Sequence, residues 1–410
     1  MSPHSGLSIS VGILDHGGWH PWLQSVGPSG LQNAFQPPPQ TSDSTHSPVR
    51  FILLRSISAQ PLSTQNNMSD ACKPFFHLPL FVGVDVGGTN IKIGVVDNDG
   101  KGVANSKFPT NPAKPPREGF ETARRELDDL LIQHGFTWAD VAAAGLGTPG
   151  PMDIAAGKVL TPTNLPGWHH APVRDLLAEV LKKPVTLAND AGAAAYGEFW
   201  VGSGQQYQSM VLLTLGTGVG GGIIVEDLSI NGVNSHGAEL GHVTIDSCKS
   251  ARVCGCGQTG HLEAYASATA LVDRAREALT AAHAPSLLTE KMNDDSPLSA
   301  LMISEAASAG DELAIRLIEE TAVYLGRGIA ILAHVIDPAA FILGGAMNFG
   351  GTGSRQGEQF LKDVAATAKK LVFPVIAEKL VVEFAQLGSD AGYVGAAGLA
   401  HQAYATKTVA

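Results

Sequence analysis

Apolar and polar positions change character near residue 80. Upstream, Ser, Pro, Gln and His dominate, as in QPPPQTSDSTHSP at residues 36–48, with no sustained helical or strand period. Residues 1–78 are therefore expected to be a disordered tail without chemistry of its own. Met68 lies shortly before the first strong strand signal and is an alternative translation start, which N-terminal sequencing of the native protein would test. From Leu80 the pattern predicts strands at Leu80–Val86, Ile91–Val96 and Val103–Phe108, antiparallel, with Asp97-Asn98-Asp99-Gly100 supplying a turn. Phe120, Ala123, Leu127, Leu130 and Leu131 recur at helical spacing and predict a helix over Arg117–Gln133, followed by a buried strand at Val141–Leu146.

A strand at Val185–Ala188 and a helix at Ala191–Phe199 close this half, and Met210–Leu215 with Gly222–Val225 starts a second sheet on the same plan. Helices at Ala268–Ala282 and Glu312–Ile336 and a strand at Phe341–Leu343 continue it, with a mobile insert expected around His283–Pro297. A last helix, Gly392–Tyr404, is expected to return to the first half. The division is thus a smaller α/β lobe of residues 79–190 plus 386–410 and a larger one of residues 191–385.

Composition narrows the function classes. At 410 residues and 44% hydrophobic content the chain can bury sizeable cores. A formal net charge of -11 without clustered Lys and Arg argues against nucleic acid as a partner. No apolar run reaches the length needed to span a bilayer and no export signal opens the chain, so a cytoplasmic protein with small-molecule partners and no membrane association is expected. Three of the four cysteines, Cys248, Cys254 and Cys256, crowd into one loop, which suits metal ligation in a reducing compartment better than disulfides.

That loop carries the densest chemistry. ELGH at 239–242 and CGCGQTGHLE at 254–263 bring two thiols, two imidazoles and two carboxylates within a short span, a set that asks for a metal and a polar ligand side by side. Two glycine-rich turns occupy matching places in the halves: DVGGTN at 85–90 and LGTGVGGG at 215–222. Their glycines admit phosphate oxygens to backbone amides and Thr89 or Thr217 adds a hydroxyl, although each alone is also an ordinary tight turn. As a pair they are expected to form a nucleotide clamp, with Asp85 expected to hold magnesium through water. Gly344-Gly345, after a strand, offers a further approach for a nucleotide or a plain strand-to-helix turn. Asp190 follows a strand and opens a helix, which fits either an N-cap or a general base.

DVGGTN, GTPGP, NLPGW, ND, LGTGVGGG, ELGH and CGCGQTGHLEAYAS occur in this order over about three quarters of the chain, and the series resembles the ROK family of sugar kinases, in particular its glucokinases. The resemblance implies an α/β, two-lobed actin-like ATPase fold of the hexokinase, Hsp70 and ribonuclease H-like type, with ATP and sugar meeting in the cleft. It implies Asp190 as the general base that takes the proton of a sugar hydroxyl, and Asn164, Asn189, Asp190, Glu239, His242 and Glu263 as sugar ligands. It implies Asp85, Gly87, Gly88, Thr89, Asn90, Lys92, Gly216, Thr217, Gly218, Gly344 and Gly345 on the side of ATP and magnesium. Where the family pattern has a third cysteine this chain has His261, so the implied structural zinc set is His242, Cys254, Cys256 and His261. The alternative at that site is a loop that has lost its metal. The implied activity is phosphorylation of the 6-hydroxyl of glucose. The alternatives are another hexose such as fructose or N-acetylmannosamine, polyphosphate as donor, and a sugar-responsive repressor, against which the tail lacks a basic recognition helix. Family members are commonly homo-oligomers.

Overall fold

The computed structural model describes residues 75–282, 286–291 and 297–409, together with the backbone of a short strand pair, Leu14–Asp15 with Gly18–Trp19. The chain divides into the units Met1–Ala71 and Cys72–Ala410. The tail expected over residues 1–78 lies almost wholly outside the described residues, and the second unit carries everything that follows.

Its first sheet is built from β1 (Leu80–Val86), β2 (Asn90–Val96), β3 (Gly102–Pro109), β4 (Val141–Thr148) and β5 (Val185–Asn189) in the order β3-β2-β1-β4-β5. The first three strands are antiparallel, as their turn residues predict, and β4 and β5 add in parallel. The second sheet uses β6 (Ser209–Leu215), β7 (Val219–Val225), β8 (Leu228–Ser229), β9 (Ala340–Gly344) and β10 (Val382–Phe384) in the order β8-β7-β6-β9-β10. It has the same directions, antiparallel for the first three and parallel for the last two. The second half therefore repeats the plan of the first.

Each sheet is apolar on both faces and is covered on both. Helices α1 (Pro116–Gln133) and α2 (Val173–Leu181) pack Phe120, Leu127 and Leu177 against Val82, Val84 and Leu146 on one face of the first sheet. The opposite face takes α11 (Ala391–Val409), whose Tyr393, Val394 and Ala397 join Phe81 and Ala143. That contact is close: a Cβ on Gly145 would lie 1.8 Å from the Ala396 carbonyl oxygen, so only glycine lets the helix backbone rest on the strand. On the second sheet, α3 (Asp190–Val201) packs Ala195 and Tyr196 against Leu212, Ile224 and Ile342. The far face carries α5 (Ala268–Ala282), α8 (Glu312–Ile336) and α9 (Arg355–Leu371), with Leu271, Leu325, Ile329 and Phe360 against Val211, Leu213 and Phe341. Helices α3 and α11 thus lie back to back between the sheets.

The chain passes from the first half to the second after α3, through residues 202–208, and back again after β10, through residues 385–390. The returning helix expected over Gly392–Tyr404 is α11. Helices α2, α9 and α7 (Ala300–Ser308) were not expected. Of these, α9 is legible in hindsight, since Ser354 caps it by accepting the Gly357 N–H at 2.9 Å and Phe360, Val364 and Ala368 recur at helical spacing. In the expected mobile insert, residues 283–285 and 292–296 lie outside the described residues, and Leu287–Lys291 between them forms a short helix, α6. A four-residue helix, α4 (Glu263–Ala266), and a six-residue one, α10 (Pro374–Lys379), complete the fold. Among the described residues no helix is long and apolar enough to cross a membrane.

Candidate active site

The C-terminal ends of β1 and β5 and the N-termini of α3 and α11 converge. Asp85, near the end of β1, faces Lys92 across the β1–β2 ladder. The Lys92 ammonium donates to the Ser389 carbonyl at 2.6 Å and lies 3.8 Å from the Asp390 carboxylate, so it ties the ladder to the turn that leads into α11. On its other side the Asp85 carboxylate rests on Gly392, where a Cβ would stand 2.2 Å from Oδ2. Surrounded in this way, Asp85 is pushed up to about 7 by burial and by the neighbouring Asp190, with Lys92 opposing.

Asp190 opens α3, but it is not the cap. Asn189 caps the helix, its Oδ1 accepting the N–H groups of Ala191 at 2.9 Å and Gly192 at 3.3 Å. The Asp190 carboxylate is left to face the cavity and accepts the Ala191 N–H at 2.9 Å. Burial raises its pKa. Hydrogen bonds from backbone N–H groups and the Asn189 side chain draw it back, and the nearby Glu239 adds to the rise. The pure N-cap alternative for Asp190 is thereby corrected: the cap is Asn189, which accepts two of the free amides, and Asp190 only shares the Ala191 N–H with it.

The cavity, about 820 Å³, has both glycine turns on its wall. Asp85 and Gly87 come from the first; Gly216, Thr217 and Gly218 from the second. The second turn is anchored to the start of α5, where the Ala268 N–H donates to the Gly216 carbonyl and the Thr269 hydroxyl to the Thr217 carbonyl, both at 2.8 Å. Gly344 and Gly345 line the same space from the end of β9, and Asn189, Asp190, Glu239, His242 and Glu263 line it as well. Five expected residues stay off that wall. Gly88, Thr89 and Asn90 are exposed at the tip of the first turn, Lys92 is turned to the Ser389 carbonyl, and Asn164 is exposed with its Cβ 3.4 Å from the position a Cβ on Gly88 would take. Asn164 and the turn tip form one rim.

Glu263 joins the second turn to the cysteine loop. One oxygen accepts the Val219 N–H at 3.0 Å, and the Cys254 thiol donates to the other at 3.5 Å. The loop itself is tied by short bridges, Thr244 with His261 and Val253 with Thr259, and by Tyr265, whose hydroxyl accepts the Arg252 N–H at 2.8 Å and donates to Asp246 at 2.7 Å. Within it the donor atoms of His242, Cys254, Cys256 and His261 all lie within 4.8 Å of one another. Cys254 Sγ is 3.6 Å from His242 Nδ1 and Cys256 Sγ is 3.2 Å from His261 Nδ1. Metal–ligand bonds of about 2.0–2.3 Å require donor separations of roughly this size, and two thiolates with two imidazoles are donors that suit zinc. The residues fit the ion. Burial pushes the Cys254 thiol up to about 11 without metal, so loading would release a proton there. Cys248 is exposed and does not belong to the group of four.

Sequence reasoning missed His236, Ser389 and Glu198 on the cavity wall. Glu198 left a signal, being the one acidic residue inside the otherwise apolar run AGAAAYGEFWV. His236 and Ser389 left none, since their role depends on how distant segments meet.

Comparison with known proteins finds relatives over most of the chain. The chain is 36% identical to a glucokinase of Halalkalibacterium halodurans over 322 residues, covering 78% of this chain and 95% of that protein. Among solved structures it superposes on a ROK family glucokinase from Streptomyces griseus in complex with glucose and AMPPNP, with a TM-score of 0.64 at 36% identity over 79% of this chain and 99% of the other. It likewise matches a ROK hexokinase from Thermus thermophilus, with a TM-score of 0.67 at 31% identity over 80% and 99% of the two chains. The two-sheet architecture is accordingly the actin-like fold that the motif series implies. The model of the ROK family matches residues 81–403, nearly the whole described body, and the chain belongs to that family.

Proposed function

We propose that the protein is an ATP-dependent glucokinase that phosphorylates the 6-hydroxyl of glucose. The observation that carries this reading is the freed Asp190 carboxylate, facing a cavity walled by both glycine turns. In this reading residues 79–190 with 386–410 form one lobe and residues 191–385 the other, and sugar and nucleotide meet between them. The likeness to a glucokinase bound to glucose and AMPPNP supports the choice of substrates.

The chemistry follows from the geometry. A sugar hydroxyl is a weak nucleophile until its proton has a destination, and Asp190 receives that proton as the oxygen bonds to the γ-phosphorus and the bond to the bridging oxygen of ADP breaks. Its raised pKa strengthens it as a base. Asn189, Glu239, His242 and Glu263 pair the ring hydroxyls, each of which donates and accepts, and Asn164 closes over the ring from the rim. The backbone N–H groups of the two glycine turns and of Gly344-Gly345 take the phosphates and adenosine. Magnesium, held through water by Asp85, would neutralise charge developing on the transferred phosphoryl group. Zinc in the His242, Cys254, Cys256 and His261 set would stiffen the loop that carries His242.

A coupled assay of the purified protein with ATP and magnesium across glucose, fructose, mannose and N-acetylmannosamine, repeated with polyphosphate, tests the reading. Glucose with ATP is expected to give the highest kcat/KM, and absence of hexose-dependent turnover with either donor would end it.

A further inference from the structure

Both passages of the chain between its two sheets meet one buried carboxylate. Glu198, in the third turn of α3, is fully buried. Its Oε2 accepts the Ser203 N–H at 3.0 Å and the Ser203 hydroxyl at 2.9 Å, both in the outgoing passage. The same oxygen accepts the Gln386 N–H at 3.1 Å, and Oε1 accepts the Leu387 N–H at 2.7 Å, both in the returning passage. Packing alone does not require this arrangement. A buried acid is costly unless its oxygens are well supplied with donors, and here four donors supply them, three backbone N–H groups and one hydroxyl. What the carboxylate adds is a common anchor for two segments more than 180 residues apart in sequence.

The residue after the anchor points in the same direction. Gly388 has a φ of +54°, and no heavy atom lies within 4 Å of where its Cβ would be. One residue further on, the Ser389 carbonyl is held by Lys92 from the first sheet. The returning passage is thus fixed at Leu387 from α3 and at Ser389 from β2, with one exposed glycine between the two anchors, spanned by a single backbone bond from the Asp390 N–H to the Leu387 carbonyl at 3.0 Å.

We propose that Glu198 is a positioning residue that pins both passages at one point, so that the two halves turn about Gly388 and close the cavity over both ligands with Asp190, on the same helix, kept in line. The inference deepens the kinase reading and rests on it for the identity of the two ligands.

The test uses the full-length protein. In the wild type without ligands, the N–H groups of Ser203, Gln386 and Leu387 are expected to exchange with solvent as slowly as those of the central strands; exchange as fast as in the exposed loop at Val233 overturns the pin. In Glu198→Gln one acceptor becomes a donor facing backbone N–H groups. Calorimetry with glucose and a non-hydrolysable ATP analogue, singly and together, is expected to give single affinities within about threefold of wild type and a mutual enhancement reduced about fivefold or more, with kcat down about tenfold. A lower Tm with coupling and kcat at the wild-type level would mean a merely structural role and overturns the proposal. Gly388→Ala, whose Cβ meets no neighbour but is strained at a φ of +54°, serves where Glu198→Gln does not fold, and it is expected to lower coupling and kcat while single affinities hold; unchanged coupling there counts against the swivel. If the wild type phosphorylates no hexose the kinase reading falls, and the exchange measurement still decides the pin.

Discussion

The Glu263 carboxylate accepts the Val219 N–H at 3.0 Å, spanning from the first residue of α4 to the glycine turn of the second sheet. One side chain therefore shapes the turn, touches the thiol of Cys254 and lines the cavity. Glu263→Gln should keep the fold and raise KM for hexose about tenfold or more, in line with a loss of roughly 1–3 kcal/mol for mispaired buried polar groups. Steady-state kinetics with hexose and ATP varied independently would check it; an unchanged hexose KM would remove Glu263 from the sugar site.

Asp190→Asn keeps the size of the side chain and removes its ability to take a proton. We expect kcat to fall about 100-fold or more, with hexose affinity changed much less, because general-base catalysis acts on the transition state. Near-normal single-turnover rates in this variant would assign the proton to another group.

The Asp85 carboxyl provides a test that needs no turnover. Its ordinary value of 3.8 is raised to about 7 in the folded chain. Between those limits the folded protein keeps a proton that the unfolded chain has lost, so this group's contribution to stability declines as pH rises across the window. Asp190 is raised as well and acts in the same sense. In ligand-free, magnesium-free buffer, Asp85→Asn should melt several degrees above wild type near neutral pH, with the difference vanishing toward about pH 4. A difference that stays constant, or that grows on acidification, would contradict the burial argument.

At the cysteine loop, wild type should carry close to one zinc per chain by elemental analysis, and Cys256→Ser should lose it. Because the loop is also tied by Tyr265 and by two backbone bridges, chelation should weaken hexose binding without unfolding the body. Metal-free wild type with full hexose affinity would leave the four donors without that role.

Much of this was legible in the chain before any coordinates. The apolar strand runs after Leu80 and the turn at Asp97–Gly100 pointed to the opening sheet, and the repeat of the same plan pointed to the second, because both signals are local. Asp190 could not be assigned locally: whether it caps α3 depends on whether its neighbour does so first, and Asn189 does. Short helices such as α2 carry too few turns for a period to stand out, whereas α9 had a full amphipathic pattern and a serine cap. The anchoring of Leu387 by Glu198 had no sequence signature beyond one acid in an apolar helix, since it joins positions brought together only by the completed fold.

The seating of α11 on the first sheet also bears on how the protein is made. β1 leaves the ribosome roughly 300 residues ahead of the helix that covers its Phe81 face, and synthesis at about 5–20 residues per second leaves that face bare for tens of seconds. Until Tyr393 and its neighbours emerge, the nascent first sheet offers chaperones an apolar surface, and premature termination anywhere in the second half strands it in that state.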